Sequence, residues 1–212
     1  MPTAYIMVGV PASGKSTWIK NQHFPEDTVV ISTDAFVEAY AEQVGKTYSE
    51  VFEEYMPTAI DKMMDQVVDA VANGSDIVWD QTSTTVATRA KKLRHLHGYN
   101  KVAVVVPTPA TAELQERLAS RPGKNVPWEV VSDMAQKLET QPPTLEEGFD
   151  ALLYVGEPPR CLLSVKREEE TDESYIYVPG VFLGELGWNI NDKLEWIQEG
   201  DVWIIRKSLK SE

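Results

Sequence analysis

Tyr5-Ile6-Met7-Val8-Gly9-Val10-Pro11-Ala12-Ser13-Gly14-Lys15-Ser16-Thr17-Trp18-Ile19-Lys20 is the stretch that decides the fold. An apolar run of strand composition leads directly into G-x-x-x-x-G-K-[ST], and a helical pattern opens at its end, which is the context this phosphate loop requires. Glycine at both ends lets successive backbone N–H groups converge on phosphate oxygens. Gly9, Ala12, Ser13, Gly14, Lys15, Ser16 and Thr17 are therefore expected to line a nucleoside triphosphate. Lys15 is expected to reach the β/γ-phosphates, and the Ser16 hydroxyl to ligate Mg²⁺. The bland alternative is a chance match on a glycine-rich turn, and the strand before and helix after argue against it.

Beyond the loop, apolar runs alternate with helical periods as far as residue 154, the pattern of a parallel sheet built from βαβ units. Strands are expected at Ala4–Val8, Thr28–Ser32, Ile77–Trp79, Val102–Val106 and Ala151–Tyr154. Helices are expected at Lys15–Gln22, Asp34–Gln43, Glu50–Ala72, Thr85–His97, Thr111–Ser120 and Trp128–Glu139, with Pro57 kinking or breaking the third. The fold class is thus α/β, a P-loop fold with a parallel sheet flanked by helices, over residues 1–156. Glu157-Pro158-Pro159 reads as a boundary. After it, Leu162–Lys166, Tyr175–Val178, Lys193–Ile197 and Val202–Arg206 have strand composition, with acidic turns at Glu168–Glu173 and Glu199-Gly200-Asp201 and a short helix at Val181–Leu186. Residues 160–209 are expected to form a small β-rich domain that docks on the first or pairs with a second copy.

Composition is ordinary for a globular protein of 212 residues. No apolar stretch approaches the roughly 20 residues needed to cross a bilayer, and the N-terminus lacks a signal-peptide pattern, so a cytoplasmic location without membrane partners is expected. A single cysteine, Cys161, excludes an intrachain disulfide and a multi-cysteine zinc site. His23, His95 and His97 show no metal-ligand spacing. The net charge of −13 opposes polyanion binding at long range, but its distribution is uneven. Residues 1–80 hold 4 Lys/Arg and 13 Asp/Glu, residues 81–125 hold 8 and 2, and residues 126–212 hold 8 and 18. The basic island suits local phosphate handling; a solvated helix face would explain Arg89, Lys91, Lys92 and Arg94 equally well.

In parallel α/β sheets ligands sit beyond the carboxyl ends of the strands. Asp34 and Asp80 follow the second and third strands. One could accept a proton from a substrate hydroxyl, and the other could orient the acceptor or hold the metal's water shell; helix N-capping is the alternative for each. Arg117 and Arg121 stand four apart at the end of a helical pattern and lead into Pro122-Gly123-Lys124-Asn125. They suit a lid closing on the γ-phosphate, or an exposed surface pair.

Gly9–Trp18, Thr33-Asp34, Asp80-Gln81-Thr82, Arg117 with Arg121, Val126-Pro127 and Leu145-Glu146-Glu147-Gly148-Phe149 occur in that order. The series resembles the 5′-kinase domain of phage and animal polynucleotide kinase/phosphatases over about residues 3–155. The resemblance implies transfer of the γ-phosphate of ATP, or of another NTP, to a 5′-hydroxyl end of DNA or RNA, a step of nucleic-acid repair, with Mg²⁺. It implies that Lys15, Asp34 and Arg121 are catalytic, with Asp34 as general base, and that Arg117 accompanies Arg121 at the nucleotide. It also implies that Asp80 holds the acceptor end and that Val126 and Val130 contact its terminal base. Trp128, between them, could offer a stacking surface or be a core tryptophan. The chain departs from the phage pattern at Val37, where that enzyme places an arginine on the acceptor's phosphate, and at Ser83, where asparagine is common. Neither a phosphatase Asp-x-Asp-Gly-Thr nor a ligase Lys-x-Asp-Gly is present.

The tail offers a weaker resemblance. Tyr177-Val178-Pro179, Leu186–Trp196 and Asp201–Lys207 look like the swapped-hairpin fold of AbrB-type regulators and antitoxins, which implies a homo-oligomer through the C-terminal module. Residues 151–212 carry 7 Lys/Arg against 12 Asp/Glu, which disfavours DNA contact there. Two other functions stay open: a P-loop kinase of a small molecule such as a nucleoside or antibiotic, and an ATP-ordered DNA-binding regulator.

Overall fold

The computed structural model describes residues 1–156, 160–168, 172–189, 191–199 and 202–208. Five strands run parallel: β1 (Thr3–Val8), β2 (Val29–Ile31), β3 (Ile77–Trp79), β4 (Asn100–Val105) and β5 (Ala151–Tyr154). A sixth, β6 (Arg160–Leu163), pairs antiparallel with β5, giving the order β2-β3-β1-β4-β5-β6. β1 lies centrally and is buried along its whole length, so its apolar run is continuous rather than alternating. Ala4, Ile6 and Val8 face one side, packed with Met63, Val67, Leu96 and Phe149. Tyr5 and Met7 face the other, against Trp18, Val78, Val104 and Leu153. Among the described residues no helix is long and apolar enough to cross a membrane.

The helices are α1 (Lys15–Asn21), α2 (Thr33–Val44), α3 (Tyr48–Asn73), α4 (Val86–Leu93), α5 (Thr111–Ala119), α6 (Trp128–Thr140) and α7 (Gly180–Leu186). α3 passes through Pro57 without a break, contrary to the stronger form of the sequence expectation. The carbonyl that Pro57 leaves without a donor belongs to Glu53, which is exposed and can bond water, while Val51 and Ala59 stay buried against α2 on the opposite side. α4 ends at Leu93, short of the expected His97.

The tail is joined to the main sheet more closely than a boundary at 157–159 implies; that tripeptide, part of the acidic turn at 169–171 and the Gly200-Asp201 turn lie outside the described residues. The expected strand Leu162–Lys166 is two strands, β6 and β7 (Val165–Arg167), divided at Ser164. There both the Ser164 N–H (2.9 Å) and its hydroxyl (3.0 Å) donate to the Asp150 carbonyl, which turns the chain. β7 pairs with β8 (Ser174–Ile176), and β9 (Leu194–Glu199) pairs with β10 (Val202–Lys207), both antiparallel. Phe182 of α7 is buried in the cluster around Tyr5 and Trp18, and the Tyr177 hydroxyl lies 2.8 Å from Thr3 Oγ1.

Candidate active site

The loop after β1 is held from both ends. The Gly9 N–H donates to the Thr82 carbonyl at 2.9 Å, tying the loop to the segment after β3, and the Trp18 N–H donates to the Gly14 carbonyl at 2.9 Å. A Cβ on Gly9 would stand 2.8 Å from Ser13 Oγ and 3.0 Å from the Val106 carbonyl oxygen, so glycine is required there by close approach. Gly14 has φ 109, a conformation that favours glycine. Lys15 is buried and curls back over the loop, donating to the carbonyls of Val10 (2.7 Å) and Gly9 (3.1 Å). Burial lowers its pKa to about 8, partly opposed by the carboxylates of Asp80 and Asp34 and reinforced by Arg121 and Lys124. Four charged groups named from the sequence, Lys15, Asp34, Asp80 and Arg121, therefore share one electrostatic neighbourhood.

The Ser16 hydroxyl donates to Asp80 Oδ2 at 2.7 Å. Hydroxyl and carboxylate oxygens are hard donors, and Mg²⁺ is commonly held by one or two protein oxygens together with substrate phosphates and water. The donor set thus fits Mg²⁺, with the nucleotide supplying further oxygens; no group of three or more His, Cys, Asp or Glu occurs among the described residues. Asp80 is placed by its own N–H, which donates to the Ile31 carbonyl at 2.8 Å, and the N-cap of α4 is Thr85.

Asp34 lies in the first turn of α2, and the N-cap is Ser32, whose hydroxyl accepts from the Ala35 N–H at 3.4 Å. The Asp34 carboxylate is engaged on both oxygens. Tyr48 Oη donates to Oδ1 at 2.8 Å, and Lys124 Nζ donates to Oδ2 at 2.6 Å. Lys124 also donates to Glu38 Oε1 at 2.8 Å and sits 4.1 Å above the Tyr48 ring. Burial, and then the adjoining Asp34 charge, push the Tyr48 phenol above its ordinary pKa, so it stays a donor. Behind them Gln81 accepts from the Trp79 indole (3.1 Å) and donates to Thr33 Oγ1 (3.1 Å), fixing the start of α2 against the end of β3.

Arg121 and Lys124 belong to a loop that lines an open pocket of about 230 Å³ together with Thr47, Ser49, Leu118 and Asn125. The two arginines expected to act as a pair have different settings. Arg117 donates to the phosphate-loop carbonyls of Ala12 (3.3 Å) and Ser13 (3.2 Å) and pairs with Glu113 at 2.6 Å, so it braces the loop, whereas Arg121 lies near Lys15 and Tyr48. Val126 and Trp128 are partly buried against Val10, Leu114 and Val131, and Val130 is exposed. The packing of Trp128 favours its core reading. Val37 is fully buried. Ser83 holds φ 48, a region asparagine adopts more readily than serine.

One sequence expectation changes. The basic island is neither a phosphate-binding face nor a solvated one at Arg89 and Lys92, which are buried. Arg89 donates to both carboxylate oxygens of Glu147 at 2.7 Å and to the carbonyls of Ser83, Gln141 and Pro142. Lys92 lies 5.6 Å from the Trp79 ring, and burial lowers its pKa to about 8. Sequence reading also missed Tyr48, Glu38 and Lys124. A weak signal was present in Asp34 and Glu38, a like-charged pair at i,i+4 that a nearby cation would relieve.

The chain matches the AAA domain family over residues 5–141. No curated protein matches it. Among solved structures, one from the PezAT chromosomal toxin-antitoxin system of Streptococcus pneumoniae is 20% identical with TM-score 0.54, over 76% of this chain and 70% of that one. One from the Pnkp1/Rnl/Hen1 RNA repair complex is 21% identical with TM-score 0.53, over 70% of this chain and 46% of that one. A Chloroflexus aurantiacus protein with a provisional kinase assignment is 23% identical with TM-score 0.53, over 73% and 87%. At these identities the likeness is one of fold. The parallel sheet, the phosphate loop after its central strand and the extent of the match lead to one conclusion: the chain belongs to the AAA domain family.

Proposed function

We propose that the protein is an ATP- and Mg²⁺-dependent polynucleotide 5′-hydroxyl kinase. The observation that carries this reading is Asp34, a carboxylate outside the cap position, held by Tyr48 and Lys124 in the electrostatic neighbourhood of the phosphate-loop lysine. Such a group can take a proton from an incoming hydroxyl while the donor phosphate is fixed beside it. In the proposed step the 5′-oxygen attacks the γ-phosphorus in line as the bond to the β,γ-bridging oxygen breaks. Asp34 takes the hydroxyl proton and the nucleoside diphosphate leaves. Lys15 and Arg121 neutralise charge on the transferring oxygens. Ser16 and Asp80 would hold Mg²⁺, which when bound neutralises phosphate charge. Arg117 keeps the loop in shape, and Gln81 keeps the base in place.

Labelled ATP supplied with 5′-hydroxyl oligonucleotides of DNA and RNA, and separately with free nucleosides, tests the reading. Transfer to oligonucleotides that is lost in Asp34→Asn is the expected result. Full activity in that variant, or transfer to mononucleosides alone, would overturn it.

A further inference from the structure

A carboxylate serves as a base only while one of its oxygens keeps a fixed direction toward the incoming hydroxyl, and a misplacement of about 1 Å can cost a hundredfold in rate. Asp34 does not set that direction by itself. Its side chain is 47% exposed in the first turn of α2, and Gln81 fixes the helix start through Thr33 without touching the carboxylate. Its two partners come from other elements: Tyr48 Oη, 2.8 Å from Oδ1, and Lys124 Nζ, 2.6 Å from Oδ2. They are not equivalent. The ammonium carries three donors on a long stem and is divided between Asp34 and Glu38, so it neutralises charge without choosing an orientation. The phenol has one O–H, at the end of a rigid ring.

The ring itself is well held. Tyr48 opens α3, and just before it the Thr47 N–H and hydroxyl both donate to Glu50 Oε2 at 2.7 Å, tying off the helix start. Just after it, the Ser49 N–H donates to the Gly123 carbonyl at 3.0 Å, and Ser49 Oγ accepts from the Asn125 N–H at 2.9 Å. A Cβ on Gly123 would stand 3.1 Å from Thr47 Cβ, so the loop is seated directly on this turn. The Tyr48 ring packs on the buried cluster of Val37, Ala41, Val51 and Ala59, lies 5.4 Å from the Phe52 ring, and has the Lys124 ammonium 4.1 Å from its centre. Its hydroxyl therefore has little freedom. Burial and the Asp34 charge keep it protonated, so toward Oδ1 it is always the donor.

We infer that Tyr48 is a positioning residue for the proposed base: its hydroxyl pins Oδ1 of Asp34 and so sets the direction in which the carboxylate receives the proton. This rests on the kinase reading of Asp34 above and adds to it a residue that touches neither substrate. The turn that orients the base also carries the loop of Arg121 and Lys124, through Thr47 and Ser49. The first turn of α3 thus keeps the base in register with the arginine that faces the donor phosphate.

Tyr48→Phe removes the hydroxyl and keeps the ring beneath Lys124, so it isolates the one hydrogen bond. Transfer from labelled ATP to a 5′-hydroxyl oligonucleotide is measured in the full wild-type chain and in the variant, folding is checked by thermal melting, and crystal structures of both locate the Asp34 carboxylate. In Tyr48→Phe, kcat is expected to fall about tenfold or more while KM for ATP and for the oligonucleotide stays within roughly threefold. Tm should drop by no more than about 4 °C, and the Asp34 carboxylate should be found rotated or in more than one orientation. An unchanged kcat overturns the inference. So does an unmoved carboxylate, or a loss that appears in the oligonucleotide KM alone, which would make Tyr48 a binding contact. Wild-type transfer to no oligonucleotide and no nucleoside refutes the kinase reading instead, and the two crystal structures then decide by themselves whether Tyr48 orients Asp34.

Discussion

Replacing Arg89 by methionine tests whether a residue far from the phosphates shapes the site. Arg89 is fully buried, its guanidinium bound to both oxygens of Glu147 and to three carbonyls, at Ser83, Gln141 and Pro142. Methionine keeps much of the volume and removes every donor. Glu147, 10% exposed, then keeps the Thr144 N–H at 3.0 Å and little else. Removing one member of a buried pair costs about 3–5 kcal/mol; the slight exposure of Glu147 allows partial solvation and places the expectation at about 3–4 kcal/mol. For a protein of this size each kcal/mol lowers Tm by roughly 2–4 °C, so a fall of about 6–16 °C is expected. Urea and thermal unfolding measure it, and a double cycle with Glu147→Leu should return a coupling of about 1.5 kcal/mol or more. The functional consequence runs through Ser83, next to Thr82, whose carbonyl anchors Gly9 of the phosphate loop. Nucleotide affinity should therefore fall in Arg89→Met while the fold remains. A loss under about 1 kcal/mol, or additive single and double variants, would refute the claim that this pair braces the loop.

Lys15 should make nucleotide binding pH-dependent. Its folded pKa of about 8 lies below its ordinary 10.5, so between those values the unfolded chain holds a proton the folded one has released. Its contribution to stability therefore rises with pH across that window, whereas affinity for the triphosphate falls as pH passes about 8. Nucleotide titrations across this range should show the bend in wild type and lose it in Lys15→Met. Gly9→Ala forces a Cβ against Ser13 Oγ and the Val106 carbonyl, and should weaken nucleotide binding by about tenfold or more, close to 1.4 kcal/mol. Adding Ser13→Ala removes only the first clash and should restore only part of the binding, whereas full restoration would show that the Val106 contact is harmless. Phe182→Ala should cost about 3–5 kcal/mol in thermal unfolding, because Phe182 is buried against Tyr5 and Trp18; an unchanged melt would mean that α7 adds nothing to the core of the sheet.

What could be read from the sequence was whatever local pattern decides. The continuous apolar run of β1, the glycines of the loop and the helical periods lie within short stretches, and the structure holds them at nearly the expected bounds. The loop's signature also carried its chemistry, since Lys15 and Ser16 are defined by their position within it. Partners brought together by tertiary folding were not legible. Arg89 and Glu147 are 58 residues apart, and in sequence Arg89 looks like any other cation on a polar helix. Lys124 is 90 residues from Asp34, and only the seating of its loop on α3 brings them together. The break at 157–159 hid the pairing of β6 with β5 for a related reason. Prolines mark where a strand cannot continue, and they leave open which edge the next strand will join.

The charge of the chain sharpens what the site must do. Of the cations in the basic segment, Arg89 and Lys92 are buried, Arg117 is committed to the phosphate loop, and Lys124 is committed to Asp34 and Glu38. Three of the eight cations of residues 81–125 are thus buried and a fourth is engaged by the loop, while Lys91 and Arg94 stay exposed; the net charge of −13 opposes phosphates at long range. Phosphate recognition has to be gained at contact distance, by backbone N–H groups of the loop and by a few cations whose resting partners are carbonyls or carboxylates. Lys15, whose resting partners are neutral carbonyls, can exchange them for a phosphate without leaving a carboxylate unpaired. The contacts of Lys15 with the carbonyls of Val10 and Gly9 supply its buried ammonium group with hydrogen-bond partners from the loop that a nucleotide's phosphates would occupy.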